Sequence, residues 1–153
     1  MTITTHTAIG AAIGFSVGNP YLGFGLGLIS HLLVDMIPHG DSLIAEEFRI
    51  HKKRKRAFRL GTTDALFALL LALFIFNLPH VTSTMTVSLA IAGSIFPDLI
   101  VGLHDATKSK YLKRAVKVHW FFHDFFIKRY HDVKLTNSLL LQAGLVAIIM
   151  NIL

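Results

Sequence analysis

A chain of 153 residues has room for one domain, and 53% hydrophobic against 16% charged residues leaves too little polar surface for a soluble domain of that size, where about 25% charged is ordinary. The formal charge of +6 does not indicate nucleic acid, because all fifteen Lys and Arg fall in two windows, seven in residues 49–59 and eight in 108–134, each beside apolar sequence. Membrane proteins keep Lys and Arg in cytoplasmic loops in that way. The absence of cysteine excludes disulfides and thiolate metal sites.

The first eighteen residues lack the positive start of a secretory signal and read as retained structure. Residues 7–37 are nearly uncharged and break at Asn19-Pro20, a turn dipeptide, so they read as a helical hairpin. Its first arm, about 5–18, would be only about 21 Å long, short of a bilayer core of about 30 Å, and is expected to be partly re-entrant. The second arm runs over 21–37. Gly10, Gly14 and Gly18 on one arm and Gly23, Gly25 and Gly27 on the other suit close packing of the two arms.

Residues 62–78 and 84–103 form the third and fourth apolar segments, a hairpin turning at Leu78-Pro79-His80, and 137–153 form the fifth. Between them, 111–131 mixes Trp120 and four phenylalanines with Lys117, Lys128 and Arg129, the composition of a helix lying at the membrane surface. The fold class expected is therefore all-α: an integral membrane bundle of about five apolar helices plus one interfacial amphipathic helix, a single domain over 1–153. Keeping both basic windows inside makes the chain integral to the cytoplasmic (inner) membrane with its N-terminus on the inner side as well. It also gathers His6, His31, Asp35, His39, Asp98, His119 and His123 near the inner face. Anionic lipid headgroups are the expected contact of the basic windows.

Ionisable groups this close to apolar spans call for a functional reading. His31 and Asp35 are four residues apart and share a helical face; Pro38 ends that helix, so His39 and Asp41 can fold back over its end. An imidazole and a carboxylate so placed can ligate one ion, or the carboxylate can orient the ring. In Gly93-Ser-Ile-Phe-Pro97-Asp98, the proline is expected to kink the helix and turn Asp98 inward, or Asp98 caps a new turn. His119 and His123 repeat the four-residue spacing that helix-borne metal pairs use, with Asp124 available as orienting group or base. The bland alternative for each is an interfacial histidine among aromatic anchors. His6 gains weight only from its place beside the other end of the hairpin. His51, His80 and His131 are left outside the site, and Asp64 reads as a helix-start charge.

These motifs resemble those of small prokaryotic membrane-bound metal-dependent hydrolases, whose early histidine, His-x-x-x-Asp followed by Pro, and Leu-Pro-Asp-type motif correspond to His6, His31 with Asp35 and Pro38-His39, and Phe96-Pro97-Asp98. Leu99 and Ile100 stand where that family often has a further acidic residue. The arrangement is also similar to the zinc-dependent phospholipase C and nuclease superfamily, in which a later histidine pair, here His119 and His123, completes the site. The resemblance implies a divalent metal such as zinc, held by the seven residues named above, with Asp41 or Asp124 taking a proton from water. It implies hydrolysis of a phosphoester or lipid at the cytoplasmic face. A metal-binding or transport protein and a non-catalytic scaffold stay open beside it.

Overall fold

The computed structural model describes residues 1–50, 54–79, 81 and 83–153, Arg49 by its backbone alone; His51 and His80 lie outside the described residues. Among them the chain forms seven helices: α1 (Ile3–Ser16), α2 (Pro20–Val34), α3 (Ser42–Arg49), α4 (Arg54–Phe76), α5 (Thr84–Thr107), α6 (Lys113–Tyr130) and α7 (Leu135–Ile152). The fold is all-α. α4, α5 and α7 are long and apolar enough to cross a membrane, and α2 is a shorter apolar helix.

Local chemistry sets the boundaries. Asn19 caps α2 by accepting from the N–H groups of Tyr21 and Leu22, with Pro20 at the first helical position, where its missing N–H costs nothing. Ser83 caps α5 through the Thr86 N–H. Lys108, at φ 55°, ends the same helix in the left-handed conformation. Two helices go beyond the sequence reading. α3 occupies a stretch to which the sequence reading assigned no element, and α4 starts at Arg54 rather than residue 62, with Arg54, Lys55, Arg56 and Arg59 on its first two turns. α5 likewise runs through Pro97 and on to Thr107, so His104 and Asp105 are helical.

The bundle is built around α1 and α5. α1 packs against α2, α4, α5 and α7, and α5 against α2 and α6 as well. The turn expected at Leu78-Pro79-His80 lies partly outside the described residues; α4 packs on α1 and α3, and α5 chiefly on α1 and α2. The glycines explain the intimacy. A side chain at Gly14 would place its Cβ 2.6 Å from the Val87 Cα, and one at Gly27 would sit 2.9 Å from the Ser94 N, so both arms meet α5 backbone to backbone. The close approaches expected between the two arms are thus made by each arm to α5, while Gly18 and Gly25 face open space.

Polarity is inverted relative to a soluble protein. Among the described residues, thirteen polar or charged ones are buried against eight apolar ones, while Leu66, Phe67, Leu69, Leu70 and Leu73 of α4 and Leu139 to Leu141 of α7 are exposed. Hydrocarbon outside and hydrogen-bonded polar groups inside is the arrangement a bilayer requires. Arg54 at the start of α4 pairs with Asp105 near the end of α5 at 3.0 Å. Both basic stretches therefore lie at one end of the bundle.

Candidate metal centre

Among the described residues, the same end holds the buried histidines His6, His31, His39, His119 and His123, together with Asp35, Asp41, Asp98 and Asp124. Each comes from a position fixed by the fold. His6 lies on the buried first turn of α1 and His31 on the last turn of α2, with Asp35 as that helix's C-cap. His39 and Asp41 come from the α2–α3 connection, Asp98 from α5 one residue past Pro97, and His119, His123 and Asp124 from the buried face of α6.

Two sets of ligand-type atoms converge. His31, Asp35, Asp98 and His119 each offer one atom within 4.8 Å of the others, and so do His39, Asp41 and His123. The sets adjoin: the rings of His31 and His119 are 5.4 Å apart, those of His119 and His123 5.9 Å, and those of His39 and His123 4.9 Å. His6 belongs to neither set. It stacks on His31 with centroids 4.1 Å apart and reaches the Asp35 Oδ1 at 3.0 Å, which also receives the Met1 amino group.

Hydrogen bonds on the outer ring nitrogens fix three imidazoles. His31 Nδ1 lies 2.7 Å from the Ser94 carbonyl and His39 Nδ1 2.7 Å from the Ile37 carbonyl. A carbonyl only accepts, so each Nδ1 carries the proton and each Nε2 turns its lone pair inward. His123 donates from Nδ1 to Asp124 at 3.1 Å, and its Nε2 lies 3.2 Å from the Asp41 Oδ1. Asp124 thus lies behind the ring and pairs with Lys128 at 3.2 Å.

Two atoms that face the other ligand-type groups, His31 Nε2 and Asp41 Oδ1, are buried without a hydrogen-bond partner among the described residues, and so are His119 Nδ1 and His6 Nδ1 on rings whose Nε2 atoms turn to Asp98 and Asp35. His31 Nε2 has the carboxylates of Asp35 and Asp98 at 3.3 and 3.7 Å, within ion-pair reach but outside hydrogen-bond geometry. An orphaned buried polar atom costs about 1–3 kcal/mol, and such atoms are rare enough to need a cause. Nitrogen and carboxylate donors are those zinc and similar divalent ions take. The donor set therefore fits a divalent cation at each group.

Charge in the connecting segments agrees with that fit. Burial alone would raise the Asp41 carboxyl, but the imidazoles of His123 and His39 against it hold it below the usual carboxylate range. Burial lowers His119 to about 4 against the pull of Asp98 and Asp35, leaving a neutral imidazole near pH 7. His123 moves the other way: burial would lower it, but the hydrogen bond and charge of Asp41 raise it.

Asp64, read from sequence as a helix-start charge, serves the start of α1 rather than of its own helix. It accepts from the Ile3 and Thr4 N–H groups at 2.5 and 3.1 Å and from the Thr4 hydroxyl at 2.6 Å. Two residues absent from the sequence reading support the site. Ser94 holds His31 through its carbonyl and donates its hydroxyl to the His6 carbonyl at 2.7 Å. Asp132 accepts from the N–H groups of Gly40 and Ser42 at 2.7 and 2.9 Å, pinning the connection that carries His39 and Asp41. Burial of polar residue types in an apolar chain was the available signal for Ser94; nothing local marked Asp132. His131 is exposed at the end of α6.

A cavity of about 1000 Å³ opens onto Asp35, His39, Asp41, Asp98, His119 and His123. Asp98 and Asp41 face it with side chains 30% and 33% exposed, whereas Asp35 is sealed beneath. Comparison with known protein families, with curated proteins and with solved structures found no match.

Proposed function

We propose that this chain is a metal-dependent membrane hydrolase acting on a phosphoester or lipid ester at the basic end of its bundle. The observation that carries the reading is the pair of adjoining His/Asp groups, holding the unsatisfied ligand atoms His31 Nε2 and Asp41 Oδ1 and reached by a cavity. His31, Asp35, Asp98 and His119 would hold one ion and His39, Asp41 and His123 a second. A divalent ion so held supplies Lewis acidity toward a phosphoryl or acyl oxygen and lowers the pKa of water toward about 7.

The chain's own residues do the rest. Ser94, Ile37 and Asp124 fix the ring orientations from behind. Asp35 neutralises the sealed floor of the site, among His6, His31 and the Met1 amino group. Asp41 and Asp98, open to the cavity, each have a second carboxylate oxygen beyond the one that would hold an ion, which could orient water and accept its proton. The basic first turns of α4 and the basic residues of α6 attract an anionic head group to this end. By the positive-inside rule the same end faces the cytoplasm. The motif resemblance to membrane-bound metal-dependent hydrolases points the same way.

Metal content tests the proposal. Purified chain equilibrated with Zn²⁺ or Mn²⁺ in detergent and freed of excess should retain two ions per chain by elemental analysis. His31→Ala and His119→Ala should lose one, and His39→Ala and His123→Ala the other. Hydrolysis of a chromogenic phosphodiester should require the ion and disappear in His31→Ala. Substoichiometric metal, equal in the parent and all four variants, would leave a polar scaffold and end the hydrolase reading.

A further inference from the structure

We infer that the gap between α4 and α7 is a lateral groove that takes the acyl chain of an anionic glycerophospholipid, with the lipid's head at the His/Asp cluster. The inference rests on the hydrolase reading for what happens at the head end, and on separate observations for the groove itself.

α4 and α7 both lean on α1, with little packing between them. The cavity that begins at Asp98 and His119 continues into this gap, between Leu60, Phe67 and Leu71 of α4 and Leu139, Ala143 and Val146 of α7. At about 1000 Å³ it stands at the upper end of the range for small-molecule sites, more than a head group alone needs. Its α4 wall extends from Ala57 to Leu71, about 21 Å at 1.5 Å per residue. One leaflet of a bilayer core is about 15 Å deep, so a chain lying in the groove follows its neighbours in the membrane.

The wall is open sideways as well. Phe67 is 59% and Leu139 42% exposed, and both belong to helices that meet the length and composition of membrane spans; the slot faces hydrocarbon. Ala143 and Ala147 keep it wide on the α7 side. The polar groups it passes, Asp64 and Gln142, are occupied by the start of α1, through Ile3 and Thr4 for the first and Thr2 and Thr5 for the second. They present no unmet demand to an apolar chain. Polar cluster at one end, apolar trough at the other, and basic turns at the rim match a charged-headed amphipath rather than a soluble phosphoester.

The single tryptophan of the chain, Trp120, lines this cavity and reports on it. Full-length protein in phosphatidylcholine nanodiscs would be titrated with phosphatidylglycerol bearing a nitroxide at carbon 5 of one acyl chain. Quenching of Trp120 should saturate at low mole fraction. Ala143→Phe and Ala147→Phe, which fill the trough, should each shift the midpoint at least tenfold, and Leu140→Phe, on the outward face of α7, should not. Helix content by circular dichroism identifies a misfolded variant, and Ala143→Val then gives a milder filling. Quenching that rises linearly with mole fraction, or that both fillings leave unchanged, overturns the groove. So does a dimer in the same discs without saturable quenching, which would seat a second copy there. Metal content of the same samples separates the two ideas. Saturation without bound ion ends the hydrolase reading and keeps the groove; bound ion without saturation does the reverse.

Discussion

Truncating Asp124 to alanine should weaken one ion site and spare the other. Asp124 is 7% exposed and takes the Nδ1 proton of His123 at 3.1 Å. A hydrogen bond to a charged acceptor contributes about 1.5–3 kcal/mol, and outer partners of ligating histidines typically govern 10- to 100-fold in metal affinity, which is about 1.4–2.7 kcal/mol. The two figures agree, so the His39/Asp41/His123 position should weaken by about 10- to 100-fold. Lys128, left without Asp124, is solvent-exposed and adds little. The ion pairs of the His31/Asp35/Asp98/His119 position run through Asp35 and Asp98, and that position should hold its affinity. Competition titration against a chromophoric chelator resolves the two steps. Asp124→Asn, whose amide oxygen can still accept from Nδ1, should recover part of the loss. Equal weakening of both steps, or of neither, would refute the positional argument. Intact affinity with lost turnover in Asp124→Asn would make the residue a base instead.

Asp64→Ala removes three hydrogen bonds and an anion from the start of α1. At about 1 kcal/mol each, with the helix-end charge adding about 0.3–1 kcal/mol, it should destabilise the protein by about 3–4 kcal/mol in detergent-mixed-micelle unfolding; a change below 0.5 kcal/mol would contradict the assignment. Gly14→Ala forces a methyl against the α5 backbone and should cost about 1–3 kcal/mol in the same assay, whereas Gly18→Ala and Gly25→Ala, facing open space, should not. Burial would raise Asp132, but the N–H groups of Ser42, Gly40 and Val133 hold it below its usual value. Its contribution is therefore complete above the unfolded-state pKa of about 3.9 and is lost as pH falls through the folded one. Hydrogen exchange at Gly40 and Ser42 should accelerate over that acid range, and Asp132→Asn should abolish the pH dependence.

What the sequence disclosed followed from chemistry confined to a few neighbouring residues. The i, i+4 pairs His31/Asp35 and His119/His123 announced shared faces because helical geometry fixes them, and the apolar runs announced spans. Residues that act across the bundle were illegible. Ser94 matters through a carbonyl that any residue type would supply, and Asp132 reaches a connection ninety residues away in sequence. α3 and the early start of α4 were hidden because Lys, Arg and Glu are good helix formers as well as loop residues. The glycines signalled close packing correctly, but composition cannot say which helix fills the space.

The bond from the Thr2 N–H to Gln142, 140 positions later, has a bearing on biogenesis. The helix that carries His6 rests against α7, a segment made much later. At roughly 5–20 residues per second, about 7–28 seconds of synthesis separate Thr2 from Gln142. For that interval the threonines at the start of α1 lack the amide that later receives them.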